Sequence, residues 1–86
     1  MKEFLEFIIK NIVKHPEDVI VTETKEDTLF IYKIKVHVED MGIIIGKEGK
    51  TIKSIREMAI AKAIKEQIRI NVLLEEEPRI QQTSAE

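Results

Sequence analysis

Residues 42–51 read GIIIGKEGKT, and this stretch distinguishes between two kinds of phosphate-binding loop. A Walker A loop requires the pattern G-x-x-x-x-G-K-[ST], with a glycine at its first position. Residues 49–51 match the end of that pattern, but Ile44 occupies the position of its first glycine. Because glycines at both ends let backbone N–H groups wrap around the phosphates, we do not expect a nucleotide-binding P-loop.

The composition predicts one small folded domain. The chain has 86 residues, of which 43% are hydrophobic, enough for a single packed core. It contains no cysteine, which excludes disulfides and thiolate zinc sites. No apolar run reaches membrane-spanning length, and Glu3 and Glu6 interrupt the N-terminal segment, so neither a transmembrane helix nor a signal peptide is expected. These features predict a soluble, cytoplasmic protein without a membrane partner.

Charge is unevenly distributed along the chain. The formal net charge is −2, which does not by itself favour a nucleic-acid partner. Residues 40–69 nevertheless carry seven basic and four acidic side chains, whereas residues 1–39 and 70–86 are both net acidic. Positive charge is therefore concentrated around the glycine stretch and the segment after it, a pattern that indicates a local anion-binding surface.

The hydrophobic pattern of the first half predicts a helix and two strands. Residues 2–14 show helical spacing of apolar side chains, and Pro16 is expected to stop the helix. Residues 19–24 and 29–38 predict strands joined by a polar turn over residues 25–28. The side chains expected on the apolar faces are Phe4, Leu5, Ile8 and Ile12 in the helix and Tyr32, Ile34, Val36 and Val38 in the second strand.

The second half predicts two helices and a third strand. Asp40 is expected to cap a short helical turn over residues 41–45, before the glycine loop. From Lys50 the pattern is helical again, and residues 67–74 alternate as a strand. The side chains expected to face inward are Ile52, Ile55, Ala59 and Ala63 in the helix and Ile68, Ile70, Val72 and Leu74 in the strand.

The resulting order, α-β-β-α-α-β, predicts an α+β fold of two layers. One three-stranded sheet is expected to be covered on one face by helices. Residues 1–74 are expected to form a single domain, and residues 75–86 an acidic and polar tail that is solvated and disordered.

The loop Gly46-Lys47-Glu48-Gly49 joins the two later helices and has the composition of an anion-binding turn. Its glycines permit a tight turn and close backbone approach, and free N–H groups at the start of the next helix favour an anion. Lys47 and Lys50 add positive charge. The simpler interpretation is a tight turn without a ligand, but such a turn does not require basic residues.

The residues around this loop resemble the signature of KH domains. Residues 44–55, IIGKEGKTIKSI, contain two aliphatic residues, G-x-x-G, and aliphatic residues three and six positions after the second glycine. The predicted element order is that of the type II, prokaryotic KH fold. From HPEDVIV (residues 15–21) to VEDMGIIIGKEGKTIKSIR (residues 38–56), the chain resembles the small single-KH RNA-binding proteins of bacteria, the KhpA type. The resemblance covers residues 1 to about 74.

This resemblance implies a non-enzymatic protein that binds single-stranded RNA, holding about four nucleotides with the G-x-x-G loop on their backbone. By position, the implied RNA-site residues are Gly46, Lys47, Glu48, Gly49 and Lys50 in and after the loop, Ile45 and Ile52 in an apolar floor, and Lys53 and Arg56 on the helix. The two isoleucines equally fit an ordinary core, and the basic side chains fit a solvated helix face. Glu48 departs from the mostly basic or neutral loops of the family. A carboxylate near a phosphate costs about 1 kcal/mol at surface dielectric, so weak binding is expected.

Ile60 and Ile64 raise the question of a protein partner. They lie about 100° away from the core-facing side of the last helix, where they either pack at the edge of the core or form an interface. We expect a homodimer, or, as the family resemblance suggests, a heterodimer with a larger Jag-type KH protein and an RNA-chaperone role in post-transcriptional regulation. The competing interpretation is a KH-shaped protein-interaction module that has lost RNA binding, which Glu48 and the acidic C-terminus favour.

Nothing in the sequence predicts catalysis. His15 precedes a proline at a helix end, and His37 is expected to point outward among lysines. No Asp or Cys is placed in the sequence to orient either imidazole, and no carboxylate pair or metal-ligand spacing is present. We therefore expect no catalytic residue, no metal site and no cofactor.

Overall fold

The computed structural model describes residues 1–75, which form the predicted elements in the predicted order. The elements are the helices α1 (Lys2–Lys10), α2 (Met41–Ile45) and α3 (Lys50–Glu66) and the strands β1 (Ile20–Glu26), β2 (Leu29–Lys35) and β3 (Arg69–Leu74). Single 3-10 turns lie at Pro16–Asp18, Val38–Asp40 and Lys47–Gly49. Most of the tail expected at residues 75–86 lies outside the described residues.

The three strands form one sheet in the order β1-β2-β3. β1 and β2 pair antiparallel, whereas β2 and β3 pair parallel. A parallel pair requires a crossover, and α2 and α3 together supply it. The backbone N–H of Glu75 donates to the Ile34 carbonyl at 2.7 Å, which continues the pairing one residue beyond β3.

The helices cover one face of this sheet, which confirms the two-layer α+β prediction. α1 packs on β1, and α3 packs on β3. The opposite face of the sheet bears exposed side chains, among them Ile20, Thr22, Lys33 and Lys35. The sheet is therefore half-buried, as the alternation in β2 predicts.

The core lies between the helices and the sheet. Its buried apolar members are Leu5, Ile9, Val19, Val21, Tyr32, Ile34, Val36, Ile44, Ile52, Ile55, Ala59, Ala63 and Val72. All four positions predicted to face inward on α3 are buried. The alanines at two of these positions let α3 lie close to the sheet.

The first helix is shorter than the sequence pattern predicts, and its buried face is different. α1 ends at Lys10 rather than at residue 14, because the Asn11 side chain donates to the Phe7 carbonyl at 2.6 Å and the chain then turns. Leu5 and Ile9 form the fully buried pair, whereas Ile12 lies outside the helix and is exposed. The prediction that both residues lie on the buried face of the helix is therefore correct for Leu5 and wrong for Ile12.

The β1–β2 hairpin and the end of β2 also differ from the prediction. The strands extend to Glu26 and from Leu29, which leaves a two-residue loop in which Asp27 has φ 57. Such short hairpin loops favour positive φ because they match the twist of the strands. β2 ends at Lys35 because a 3-10 turn begins at Val38, which is exposed rather than core-facing.

Candidate nucleic-acid interface

The G-x-x-G loop is a single tight turn between α2 and α3. Gly46 closes α2 by donating its N–H to the Gly42 carbonyl at 2.8 Å, and it has φ 76 and ψ 171. Glu48 (φ 58, ψ 27) and Gly49 (φ 74, ψ 15) both adopt left-handed conformations, and the Gly49 N–H donates to the Gly46 carbonyl at 3.1 Å. This backbone path reverses the chain within four residues, and α3 begins immediately afterwards.

The two glycines of the loop are required for different reasons. A Cβ on Gly46 would stand 2.2 Å from Thr51 Oγ1 and 2.8 Å from the Thr51 backbone nitrogen, so no side chain fits there. A Cβ on Gly49 would meet nothing within 4 Å. Gly46 is therefore required for packing and conformation, whereas Gly49 supplies a left-handed conformation next to open space, into which a ligand backbone can approach.

Two backbone donors in the loop are left available. Among residues 1–75, no acceptor contacts the backbone N–H of Lys47 or of Glu48. Both residues are exposed, and both precede the first turn of a 17-residue helix. Adjacent free N–H groups beside the positive end of a helix dipole form a site that favours an anionic oxygen.

The basic side chains predicted for the site are all exposed. Within the described part of the chain, no carboxylate lies within salt-bridge distance of Lys47, Lys50, Lys53 or Arg56. The Glu48 side chain is also exposed and makes no ion pair in that part. The loop and the first two turns of α3 therefore present several positive charges and one negative charge to solvent.

The predicted apolar floor is divided between surface and core. Ile45, at the end of α2, is partly buried, whereas Ile52 is almost completely buried and belongs to the core cluster. Ile34 and Val36, from β2 and the residue that follows it, are core residues. Of these four side chains, Ile45 presents the most surface beside the loop.

Arg56 connects this surface to the free edge of the sheet, a contact that the sequence did not predict. Its Nε donates to the Val72 carbonyl at 3.0 Å. β3 is an edge strand, and the Glu75 N–H points toward β2, so alternation directs the backbone polar groups of Val72 and Leu74 outward. The basic side of α3 and the outer edge of β3 thus form one continuous surface below the loop.

The structure places Ile60 and Ile64 on the surface of α3 rather than in the core. Ile60 is 48% exposed and Ile64 is 71% exposed. By helical geometry they lie on the same side of α3 as Arg56, one and two turns further along. Ile60 is thus about half buried, which still fits packing at the edge of the core, whereas Ile64 is mostly exposed.

Asp40 does not cap α2 as predicted. Its buried carboxylate makes no capping hydrogen bond to that helix and instead accepts the backbone N–H groups of Lys14 (3.1 Å) and His15 (2.9 Å). Burial raises the pKa of Asp40, but the two backbone donors and the neighbouring imidazoles outweigh it, so its pKa lies below the ordinary value. Asp40 therefore ties the α1–β1 connection to the start of α2.

His15 and His37 are also closer together than the sequence suggests. Their rings stack with centroids 4.1 Å apart, and His15 Nε2 lies 3.1 Å from Glu39 Oε1. In the described residues, no helix is both long and apolar enough to cross a bilayer.

Comparisons with known proteins agree with this geometry. The family model described as "KhpA/KhpB, KH domain" matches residues 2–74. The protein named RNA-binding protein KhpA of Chlamydia pneumoniae is 44% identical over 77 residues, covering 90% of this chain and 99% of the relative. The proteins of the same name from Thermotoga maritima and Listeria monocytogenes are 54% identical over 56 residues and 41% identical over 75 residues. These two alignments cover 65% and 85% of this chain and 75% and 99% of the relatives.

No solved structure matches the chain significantly. The family model nevertheless spans nearly every described residue, and the relatives from Chlamydia pneumoniae and Listeria monocytogenes align over almost their full lengths. The element order, the G-x-x-G turn and these matches lead to the same conclusion: the chain belongs to the KhpA/KhpB family of KH-domain proteins.

Proposed function

We propose that this protein binds single-stranded RNA without catalysis, with the Gly46–Gly49 turn holding the sugar-phosphate backbone. The observation that carries the proposal is the pair of adjacent N–H groups on Lys47 and Glu48, which have no acceptor among residues 1–75. Gly49 leaves open space beside them, and Lys47 and Lys50, in and directly after the turn, make no ion pair within the described residues. Relatives named as RNA-binding proteins support RNA as the ligand over a protein-interaction module without RNA.

The proposed binding surface runs from the loop along α3. KH domains hold about four nucleotides, with the G-x-x-G loop on the backbone and the bases on an apolar surface. Lys50, Lys53 and Arg56 supply phosphate contacts in this proposal, and Ile45 supplies the exposed part of the apolar floor. Ile52 supports that floor from the core.

Lys47→Asp tests the loop. The change replaces an attractive charge by a repulsive one beside the free N–H groups, so affinity for a short unstructured RNA is expected to fall about ten-fold or more. Removing one phosphate contact also lowers the slope of log affinity against log salt by about 1. Fluorescence anisotropy at fixed salt measures the affinity, and circular dichroism verifies the fold.

Lys2→Asp is the matched control. It makes the same charge change on an exposed residue of α1, where an acidic residue suits the helix start. Its affinity is expected to stay within about two-fold of the native value, because exposed charges beyond a Debye length are screened. Equal affinities of the native protein and the Lys47 variant would refute the loop as the RNA site.

We propose further that the protein acts as a dimer in the cytoplasm, through the exposed Ile60 and Ile64. A single domain that holds four nucleotides has limited selectivity, and a second linked domain adds effective concentration without new contacts. A two-fold dimer needs a self-complementary apolar patch. The partner is a second copy or, by family resemblance, a larger Jag-type KH protein, with an RNA-chaperone role in post-transcriptional regulation.

The double variant Ile60→Glu with Ile64→Glu tests this interface. Because both side chains are exposed, the variant is expected to stay folded, become monomeric, bind long RNA more weakly and bind a four-nucleotide RNA about equally. Analytical ultracentrifugation and circular dichroism are measured together. A native protein that is monomeric at tens of micromolar, or a folded variant that remains dimeric, would place the interface elsewhere or nowhere.

A further inference from the structure

A cluster of metal-ligating side chains lies at the end of α2 opposite to the G-x-x-G loop. His15 comes from the connection between α1 and β1, whereas His37 and Glu39 come from the connection between β2 and α2. One ring nitrogen of each histidine and one carboxylate oxygen of Glu39 lie within 4.8 Å of one another. The two connections are distant in sequence, so this cluster exists only in the folded chain.

The distances within the cluster suit a small divalent ion. His15 Nε2 and Glu39 Oε1 are already 3.1 Å apart, and the two imidazole rings are stacked at 4.1 Å with planes 24° apart. Around a tetrahedral Zn²⁺ with ligand bonds of about 2.0–2.2 Å, neighbouring ligand atoms lie about 3.4 Å apart. A metal ion lies in the plane of each imidazole that binds it, so the two stacked rings must rotate out of their stacking before both can bind one ion.

The surroundings of the cluster are acidic and open to solvent. Glu17 Oε2 lies 3.8 Å from His15 Nδ1, and Glu17 and Asp18 form a second group of possible ligands with His15. The side chains of Glu17 and Glu39 are about 70% exposed, which gives an ion direct access. The cationic side chains nearest in sequence, Lys14 and Lys35, are exposed and make no ion pair within the described residues.

Asp40 holds the backbone of the cluster in place. Its buried carboxylate accepts the backbone N–H of His15, and it directly follows Glu39 in the chain. The two halves of the cluster are therefore fixed relative to each other before any ion arrives. Such preorganisation lowers the conformational cost of binding.

One contact opposes metal binding at His37. Its Nδ1 accepts the Glu39 backbone N–H at 2.9 Å, so in the neutral ring Nε2 carries the proton. An ion that binds Nδ1 must displace this hydrogen bond. An ion that binds Nε2 requires the proton to move to Nδ1, which also breaks the hydrogen bond. The affinity of the site is therefore expected to be lower than that of a closed structural zinc site.

We propose that His15, His37 and Glu39 bind a divalent transition-metal ion of the Zn²⁺ class, with Glu17 and water completing the coordination. Imidazole and carboxylate are ligands that suit Zn²⁺, whereas Mg²⁺ prefers oxygen ligands alone. The bound ion links the α1–β1 and β2–α2 connections. Because it binds the folded chain better than the unfolded one, it stabilises the fold by mass action.

Calorimetric titration of the untagged chain with Zn²⁺ tests the site. The expected result is saturable binding of one ion per chain, and a melting temperature that rises with Zn²⁺ but not with equal Mg²⁺. The chain has two histidines and no cysteine, so the imidazole proton resonances report the site directly. The proton resonances of both imidazoles are expected to shift together as the first equivalent of Zn²⁺ is added.

Three variants identify the ligands. His15→Gln, His37→Gln and Glu39→Gln are each expected to weaken Zn²⁺ binding at least ten-fold, while Glu57→Gln, an exposed carboxylate on α3, leaves it unchanged. Circular dichroism verifies that each variant is folded. Unchanged binding in the histidine variants, a shift of only one imidazole, or no saturable binding to the native chain would overturn the proposal. The resonances of the native chain decide the question even where a variant unfolds.

Discussion

The two turns that flank α2 differ in whether backbone donors find an acceptor within the chain. Before the helix, the turn Val38–Asp40 buries a carboxylate that accepts two backbone N–H groups from the α1–β1 connection. After the helix, the turn Lys47–Gly49 leaves the N–H groups of two exposed residues, Lys47 and Glu48, without a partner in the described residues. The two turns lie at opposite ends of α2, a helix of only five residues.

The Asp40 turn contributes to the stability of the fold, whereas the glycine turn is suited to binding a ligand. A buried carboxylate supplies an acceptor from within the chain, so the Asp40 turn contributes to stability at any ligand concentration. Because the pKa of Asp40 is lowered on folding, this contribution is present at neutral pH and is lost as the pH falls through the folded-state pKa. Within the described residues, the N–H groups of Lys47 and Glu48 in the glycine turn have no acceptor, so apart from water they are available to an anionic ligand.

Gly46→Ala is expected to have the largest effect on stability. The added Cβ would overlap Thr51, and the conformation at φ 76 and ψ 171 is essentially restricted to glycine. We expect a loss of more than about 2 kcal/mol, or roughly 10 °C or more in melting temperature, measured by thermal denaturation.

Gly42→Ala is the matched control for this change. Gly42 lies inside α2, and a Cβ there meets nothing within 4 Å, so alanine is expected to stabilise the protein by about 0.5–1 kcal/mol. Equal melting temperatures for the two variants would contradict the close packing of Gly46 against Thr51.

Asp40→Asn is expected to have the next largest effect. The amide has only one oxygen acceptor, so one of the two backbone N–H groups of Lys14 and His15 loses its partner. We expect the melting temperature to fall by about 5–10 °C at pH 7 while RNA affinity per folded molecule is unchanged. Glu57→Gln, on the exposed face of α3, serves as the control. A large loss of RNA affinity at constant stability would show that the Asp40 turn also contributes to RNA binding, contrary to the separate roles of the two turns.

Gly49→Ala is expected to change stability less than binding. Its left-handed conformation costs alanine about 1 kcal/mol, but the added Cβ meets nothing in the free protein. The Cβ would instead occupy the space into which the RNA backbone approaches, so affinity is expected to fall several-fold more than the modest loss of stability explains. Anisotropy and thermal denaturation of the same samples measure both. Unchanged RNA affinity would place the ligand on another side of the turn.

Glu48→Lys is expected to have the smallest effect, and to improve binding. Glu48 is exposed, so lysine removes a repulsion of about 1 kcal/mol from the phosphate, which corresponds to roughly five-fold in affinity. The salt dependence is expected to steepen, which titrations at two salt concentrations measure. Weaker binding by the lysine variant would show that the carboxylate itself contributes to RNA recognition.

Local patterns were enough to predict the fold and the position of the loop. The alternation in β2, the four-residue spacing of Ile55, Ala59 and Ala63, and the paired glycines each depend on neighbours within a few residues. Their burial and conformations agree with those expectations. The ends of elements were less predictable, because the Asn11 side chain stops α1 through one local hydrogen bond.

Other contacts that the sequence did not reveal join residues that are distant along the chain. Asp40 satisfies donors 25 and 26 residues away, and the Nε of Arg56 reaches a carbonyl 16 residues away. In the sequence, Asp40 precedes a helical turn and is therefore predicted to be its N-cap. Only the folded structure shows that its carboxylate instead accepts hydrogen bonds from the α1–β1 connection. The stacking of His15 on His37 likewise depends on how the sheet brings two connections together.

Within residues 1–75, no strand pairs with the outer edge of β3, so this edge offers backbone groups for pairing between molecules. An edge strand with unpaired backbone groups invites a second strand, and natural sheets prevent aggregation by placing charged side chains across such edges. Arg56 reaches the outward carbonyl of Val72 from α3 and occupies the middle of this edge. The same guanidinium lies on the surface proposed for RNA, so Arg56 opposes strand pairing between molecules at this edge while it keeps positive charge on that surface.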